Sequence, residues 1–343
     1  MGQNTSTITQ TYEVAPGTLS RSKVPYPPFE LGKPRFDQST YLGRLTHILD
    51  TTDPKLLLTP NEKVECAVEF LEDYKNGTAP KYSDEQLWQW QRIKNSFFHP
   101  DTGEKIYAPF RMAGFVPFGS PIVIGLLWPN PSFAATIFWQ WLNQTHNACF
   151  NYSHRNASKH TPFNKYVEGY AGAVTSAVTI AVSLQALIKR AHVFSPTTKM
   201  LIQRFIPFPA VASANICNVV LMRKNELEDG IEVLDDQNNV VGTSKIAAKR
   251  ALTETAITRV VLPIPILIFP PIIMSVLERS KYLTYNRGMR IFWHSIVVTA
   301  CFAIALPHAI ALFPQNSQIN VNELEEEFKD KTDQTVLYYN KGL

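Results

Sequence analysis

The sequence predicts an all-α integral membrane protein, a five-span helical bundle that follows a soluble helical region. Between Met112 and His154 there is no Asp, Glu, Lys or Arg. The same four residue types are absent from four later segments, 169–188, 205–222, 260–277 and 291–313. Each segment is close to the ~20 residues that a helix needs to cross about 30 Å of hydrocarbon. The mean hydropathy of -0.10 hides this pattern because charged flanks are averaged with apolar segments.

The first part of the chain divides into a disordered extension and a soluble helical region. Residues 1–34 contain five prolines and many Ser and Thr, a composition typical of disorder. They contain no apolar signal-peptide core, and the opening Met-Gly matches the loose myristoylation pattern, which leaves modification of Gly2 an open question. Over 35–111, apolar residues at helical spacing predict short helices, one of them beginning at Ser83 with Gln86 three positions later.

The membrane region is predicted to cover 112–313, and its first segment, about 112–150, is divided by Pro129 and Pro131. The piece before these prolines is short, so it is interpreted as a re-entrant or interfacial segment, with a sixth span as the alternative. Five spans place the two termini on opposite sides. Two short loops on the N-terminal side carry Lys and Arg, and basic loops favour the inside compartment. For a mitochondrial protein this predicts an N-terminus in the matrix.

Two hydrophilic segments complete the predicted organisation. Within the loop 223–259, short apolar runs flank the turn-rich residues 235–239, which predicts a β-hairpin. A calcium-binding EF-hand loop is excluded, because Val240 occupies the position where that motif requires Gly. The remaining residues, 314–343, are expected to form an acidic tail.

A stripe of amide side chains provides the candidate substrate site. Asn143, Asn147 and Asn151 recur every four residues and therefore lie on one helical face. An amide without a partner in hydrocarbon costs several kcal/mol, so the stripe faces other helices or a wet cavity. It is either a solute pathway or interhelical hydrogen-bonding. The candidate substrate-binding residues are Gln140, Asn143, Gln144, Asn147, Asn151, Asn215 and Asn218.

Two further patterns concern the predicted spans. Ala173, Ala177 and Ala181 follow Gly169 at four-residue spacing, which favours close helix packing. Interior prolines free backbone groups that would bind a zwitterionic solute. The alternative is that each proline only kinks its helix. The predicted spans contain no carboxylate, so facilitated passage or exchange is favoured over proton coupling.

The sequence favours no enzymatic activity and predicts no catalytic residue, cofactor or metal site. Asp101-Thr102-Gly103 is similar to an aspartic-protease triplet, but such enzymes need two facing aspartates and this chain has one copy. The four Cys and eight His are scattered without metal-site spacing. The sequence has no dense basic stripe interleaved with aromatic residues, so it does not indicate nucleic-acid binding. The expected partners are the lipid bilayer and a small amino-acid substrate, and no protein partner is indicated.

Several longer motifs resemble those of the sideroflexin family. They are His99-Pro-Asp-Thr-Gly-Glu-Lys105, Arg111-Met112, Phe138-Trp-Gln-Trp-Leu-Asn-Gln144, Asn147-Ala148, Asn151-Tyr152, Arg155-Asn156, the run from Pro207 to Asn218, Met222-Arg223 and Tyr339-Asn-Lys-Gly-Leu343. The resemblance covers roughly residues 35 to 343. His154 stands where Asn is expected, and Ala113 where Ser is expected.

The resemblance implies a mitochondrial inner-membrane protein with five spans and no cleaved presequence. It also implies import of serine for one-carbon metabolism and links to iron and haem homeostasis, and it carries over no functional residues. Three functions therefore remain open: a carrier for serine or a similar small amino acid, a membrane scaffold or assembly factor, and an iron or metal-chelate carrier. The polar, proline-broken spans favour the first.

Overall fold

The computed structural model describes residues 26–78, 82–100, 102–128, 131–154, 163–190, 195, 198, 202, 205–237, 239–279, 286–314 and 316–341. The prediction of disorder for residues 1–25, and the question of modification at Gly2, lie outside these residues. The described fold is mostly helical and comprises an N-terminal helical region, a helical bundle and a small sheet.

The N-terminal region contains three helices, as predicted: α1 (Tyr41–Thr51), α2 (Asn61–Asn76) and α3 (Asp84–Phe97). Helix α3 begins with the predicted reciprocal cap between Ser83 and Gln86. Helices α2 and α3 pack together through apolar residues that repeat at helical spacing. The buried members of this small core are Val64, Ala67, Leu71, Leu87, Trp88, Ile93 and Phe97.

Residues 26–34 do not form part of a disordered extension. The Phe29 ring is buried, with its centroid 4.9 Å from that of Trp88. The Phe29 amide donates to Asp84 Oδ1 at 2.8 Å, and Trp88 Nε1 donates to the Pro27 carbonyl at 2.9 Å. The prediction of disorder rested on proline content. Local composition does not reveal that Phe29 packs against partners more than 50 residues away.

The bundle consists of α4 (Phe115–Leu126), α5 (Phe133–Ser153), α6 (Phe163–Arg190), α7 (Pro207–Met222), α9 (Lys245–Val261), α10 (Pro263–Leu277) and α11 (Arg287–Ile310). The short helix α8 (Lys224–Asp229) follows α7. The predicted small-residue ridge on α6 is buried, with Ala177 and Ala181 both 0% exposed. Since these side chains are small, α6 and α7 pack closely along their length.

Three described helical stretches are long and apolar enough to cross a membrane: Tyr166–Arg190, the nearly continuous Lys245–Leu277, and Arg287–Ile310. Two shorter apolar helices, Met112–Leu126 and Pro207–Leu221, accompany them. Helix α5 has 21 residues, which is sufficient length. Its Asn and Gln side chains lower its hydropathy, so it falls outside the three. The predicted count of five spans is thus reproduced only in part.

The hydrophilic segments fold into a four-stranded antiparallel sheet, so the fold is not all-α. The predicted hairpin is confirmed as β1 (Ile231–Leu234) and β2 (Val240–Ser244). The predicted acidic tail forms β3 (Asn316–Asn320) and β4 (Val336–Asn340), and the strand order is β2-β1-β4-β3. The tail was not predicted as sheet because β4 presents only two buried residues, Leu337 and Tyr339, and pairs with a strand about 100 residues earlier.

The N-terminal region and the sheet lie at the same end of the bundle. Arg44 of α1 donates from Nε to the Ala311 carbonyl at 2.9 Å, at the end of α11 from which the chain enters β3. Helix α4 runs antiparallel to α5: Phe115 packs against Phe150, while Gly125 faces Trp139. Helix α4 therefore leads from one end of the bundle toward the other. A five-span count puts the two termini on opposite sides of the membrane, whereas in this arrangement the N-terminal region and the sheet lie at one end of the bundle.

Candidate functional site

A central cavity lies among α4, α5, α7, α9, α10 and α11. Its volume is about 60 Å³, which is room for several waters. Most of the lining is apolar. The polar lining residues are Asn143, His146, Asn147, Asn215 and Arg259.

Local sequence features build this cavity. Asn143 and Asn147 are one helical turn apart on α5, which aims both toward the interior. On α4, a side chain at Gly119 would place its Cβ only 2.8 Å from the Phe302 ring, so the glycine lets this ring approach. Pro263 begins α10 directly after α9, and Leu262 and Pro263 form part of the cavity wall. Because proline lacks an N–H, the junction between the two helices is a point of weakened backbone bonding.

The amides around the cavity are incompletely paired. Asn143 Nδ2 is buried and has no hydrogen-bond partner among the described residues. Asn215 Nδ2 donates to the Arg259 carbonyl at 3.5 Å, the long limit of a hydrogen bond. Asn151 lies just beyond, where its Oδ1 accepts from Arg259 Nη2 at 3.0 Å. An unpaired buried donor is costly, so these groups require water or a solute.

Arg259 is a cavity residue that the sequence reasoning missed. It directly precedes the charge-free segment 260–277 and was read as its flank. In the structure, Arg259 belongs to a helical stretch that continues to Leu277, and it is one of the residues that line the cavity. Four-residue spacing from Thr255, which is buried on the inner face of α9, is the signal that would have indicated its direction.

A second, smaller cavity lies toward the opposite end of α5. Its volume is about 30 Å³, and its lining includes Thr136, Trp139, Gln140 and Gln185, together with residues 125–128 and Pro131. Gln185 accepts from Thr136 Oγ1 at 3.2 Å and donates to the Pro131 carbonyl at 2.7 Å. Gln140 is 1% exposed, and its Oε1 has no partner among the described residues. Leu126 lines both cavities and therefore separates them.

The side chains predicted to bind substrate therefore do not share one site. Asn143, Asn147 and Asn215 meet at the central cavity, Gln140 lies at the second cavity, and Asn151 contacts Arg259. Gln144 and Asn218 are buried but line neither of these two cavities. Gln144 Nε2 also lacks a partner among the described residues. Assignment of these side chains to substrate binding stays a prediction.

The described residues contain no group of three or more His, Cys, Asp or Glu able to hold a metal ion. His146, the histidine that lines the central cavity, has its Nε2 3.3 Å from the Pro109 carbonyl. The donor set at the cavity is therefore amides, one imidazole and one guanidinium, a combination suited to a polar organic solute rather than a divalent cation.

Comparison with known proteins gives a consistent result. The family model described as Sideroflexins matches residues 30–343. The chain is 57% identical to Sideroflexin-5 of Homo sapiens over 92% of this chain and 94% of that protein, and 51% identical to Sideroflexin-5 of Caenorhabditis elegans over 93% and 96%. It is 39% identical to Sideroflexin-1 of Homo sapiens, over 92% and 98%. No solved structure matches. The chain belongs to the sideroflexin family.

Proposed function

We propose that this protein transports a small neutral amino acid across the mitochondrial inner membrane, with serine as the first candidate substrate and one-carbon metabolism as the process it serves. The observation that carries the proposal is the set of buried amide atoms along α5 that have no partner among the described residues: Gln140 Oε1, Asn143 Nδ2 and Gln144 Nε2. A purely structural helix interface would pair such atoms, because each unpaired one costs about 1–3 kcal/mol.

The two cavities suggest the route. They lie one behind the other along α5, with Leu126 between them. A solute held at the central cavity would reach the second one only if α4 and α5 separate near Leu126 and Trp139. Such rearrangement around a fixed site is the ordinary mode of secondary transporters. Gly125 already lies against the Trp139 ring, so α4 and α5 approach closely at this barrier.

The charge distribution favours facilitated passage or exchange. No Asp or Glu lines either of the two cavities in the described part of the chain. Proton-coupled carriers generally use an intramembrane carboxylate or histidine, and His146 is the histidine present at the central cavity. We therefore propose transport driven by the amino-acid gradient, without a proton.

The position of the N-terminal region changes the proposed orientation. The basic loop that begins at Lys189 and Arg190 follows the end of α6 that is remote from the sheet, and Arg287 and Arg290 begin α11 at the same remote end. The rule for basic loops places that end in the matrix. The N-terminal region and the sheet then face the intermembrane space. Protease treatment of mitoplasts that carry a tag at either terminus tests this orientation. Both tags should be digested, and protection of both tags would show the reverse orientation.

The direct test of transport uses purified protein in liposomes. Saturable uptake of labelled serine, competed by unlabelled alanine and absent from empty liposomes, is the expected result. Correctly folded protein without uptake of serine, alanine or cysteine would contradict the carrier proposal and favour a scaffold role. Uptake of iron without uptake of amino acids would favour the metal carrier.

A further inference from the structure

We infer that Arg259 is the residue that binds the carboxylate of the transported solute. This inference rests on the proposed function, because it names the group that would recognise one end of an amino acid in the central cavity. It adds a specificity-determining residue that the motifs did not indicate, and it restricts the substrates to solutes that carry a carboxylate.

The guanidinium of Arg259 has unused hydrogen-bonding capacity. Its one hydrogen bond within the described part of the chain runs from Nη2 to Asn151 Oδ1 at 3.0 Å. A guanidinium has five N–H donors and stays charged at any physiological pH. No described Asp or Glu forms an ion pair with it. Arg259 lines the central cavity, and its one partner, Asn151, is one turn from the lining residue Asn147.

The neighbouring Arg223 provides a contrast, because its guanidinium is fully engaged. Arg223 donates to Glu226 Oε2 from both Nε and Nη2, at 2.9 and 2.6 Å, and from Nη1 to Thr255 Oγ1 at 3.2 Å. Thr255 is one turn before Arg259 on α9, so the two guanidinium groups are neighbours. Glu226 is committed to Arg223, which leaves Arg259 as a positive charge that faces the cavity.

A solute carboxylate would complete this arrangement. Arginine and carboxylate form two parallel charge-assisted hydrogen bonds, and this geometry is strongest where water is excluded. Asn143 lines the same cavity, and its buried Nδ2, which has no partner in the described part of the chain, is available to the same carboxylate.

The amide oxygens suit the other end of the solute. Asn215 uses its Nδ2 toward the Arg259 carbonyl, which leaves Oδ1 as an acceptor. Asn147 lines the cavity one turn from Asn143 and supplies a second amide. Amide oxygens accept from an ammonium or a hydroxyl group without placing a full negative charge in the membrane. The cavity thus offers a cation for the carboxylate and neutral acceptors for the rest.

The test compares serine with serinamide, in which a neutral carboxamide replaces the carboxylate. Thermal stabilisation of the purified protein measures binding, and inhibition of labelled serine uptake in liposomes measures transport. For the unmodified protein we expect serine to bind about 30-fold or more tightly than serinamide. In Arg259→Gln this preference should fall to near unity, while Arg259→Lys should retain part of it.

Arg223→Gln serves as the matched control, since that arginine is paired and does not line the cavity. It should lower thermal stability and keep the preference for serine. A preference retained by folded Arg259→Gln would overturn the inference, as would an unmodified protein that binds both compounds equally or neither. Binding of serine through Arg259 without any uptake would instead contradict the proposed transport and leave the carboxylate site in place.

Discussion

The two halves of helix α9 differ in how their charged side chains are paired. Near the sheet, Glu254 accepts from Tyr339 Oη at 3.3 Å and Ser317 Oγ at 3.2 Å, and its Oε1 lies 3.7 Å from Arg250 Nε. Five residues later, Arg259 has a single amide partner for its guanidinium among the described residues, and it lines a cavity. The same helix therefore holds one charge with several partners in the fold and one charge for which the described residues supply no carboxylate.

This difference separates a structural cluster from a candidate binding site. Buried polar groups are normally paired, and a paired group stabilises one arrangement of the chain. Unpaired groups beside a cavity lower stability and gain a partner only when water or a solute enters. Changes near Glu254 should therefore affect stability with little effect on selectivity, and changes near Arg259 and Asn143 should do the opposite.

The largest effect on stability is expected from Phe328→Ala. The Phe328 ring is 0% exposed in the core of the sheet, where it packs with residues of β1, β4 and α9. Its removal should cost about 3–5 kcal/mol through lost burial and the cavity left behind. Thermal unfolding in detergent measures this loss. Leu58→Ala is the control, because Leu58 is 82% exposed, and an equal loss in both variants would contradict the assigned core.

A smaller loss is expected from Glu254→Gln. The substitution keeps the size of the side chain and removes the charge that accepts from Tyr339 and Ser317, so it should cost about 1–3 kcal/mol. Chemical denaturation measures the change in unfolding free energy. The preference for serine over serinamide should stay as in the unmodified protein. A lost preference with unchanged stability would show that the two halves of α9 are not distinct.

The smallest effect is a change in the pH dependence of stability caused by Lys341. Burial lowers the pKa of Lys341 from 10.5 to about 8, while Glu254 partly opposes this shift. The unfolded chain therefore binds more protons than the folded one between pH 8 and 10.5, and stability rises with pH in that window. Burial also raises the pKa of Tyr339 from 10.0 to about 12, which opposes the rise above pH 10.

Thermal unfolding at pH 8 to 10 should thus show a rising midpoint in the unmodified protein and a flatter curve in Lys341→Met. Equal slopes in the two proteins would indicate that Lys341 keeps an ordinary pKa in the folded state. The window ends at pH 10 because Tyr339 begins to contribute with the opposite sign beyond it.

Sequence patterns predicted those features that depend on local spacing. The cap at Ser83, the hairpin around 235–239 and the small-residue ridge of α6 all use neighbours within a few residues, and the structure confirms them. The amide stripe is also a local pattern, and it brought Asn143 and Asn147 to one cavity. The period of an α-helix is enough to place such groups on a common face.

Features that depend on distant partners were not predicted. Strand β4 pairs with β1, Arg44 bonds to the end of α11, and Phe29 packs on Trp88. Arg259 belongs to the same group, because a charge beside an apolar segment indicates a membrane boundary until the neighbouring helices are known. That no described Asp or Glu pairs with Arg259 is a property of the three-dimensional arrangement, which local sequence spacing does not reveal.

The central claim is that the polar interior of the bundle exists for a solute and at a cost to stability. The most direct test measures thermal stability and serine uptake together for Asn143→Leu, with Ile137→Leu on the exposed face of α5 as control. Replacement of an unpaired buried amide by an apolar side chain of similar size should leave stability unchanged or raise it, while uptake falls about tenfold or more. A destabilised Asn143→Leu that transports serine at the normal rate would contradict the claim.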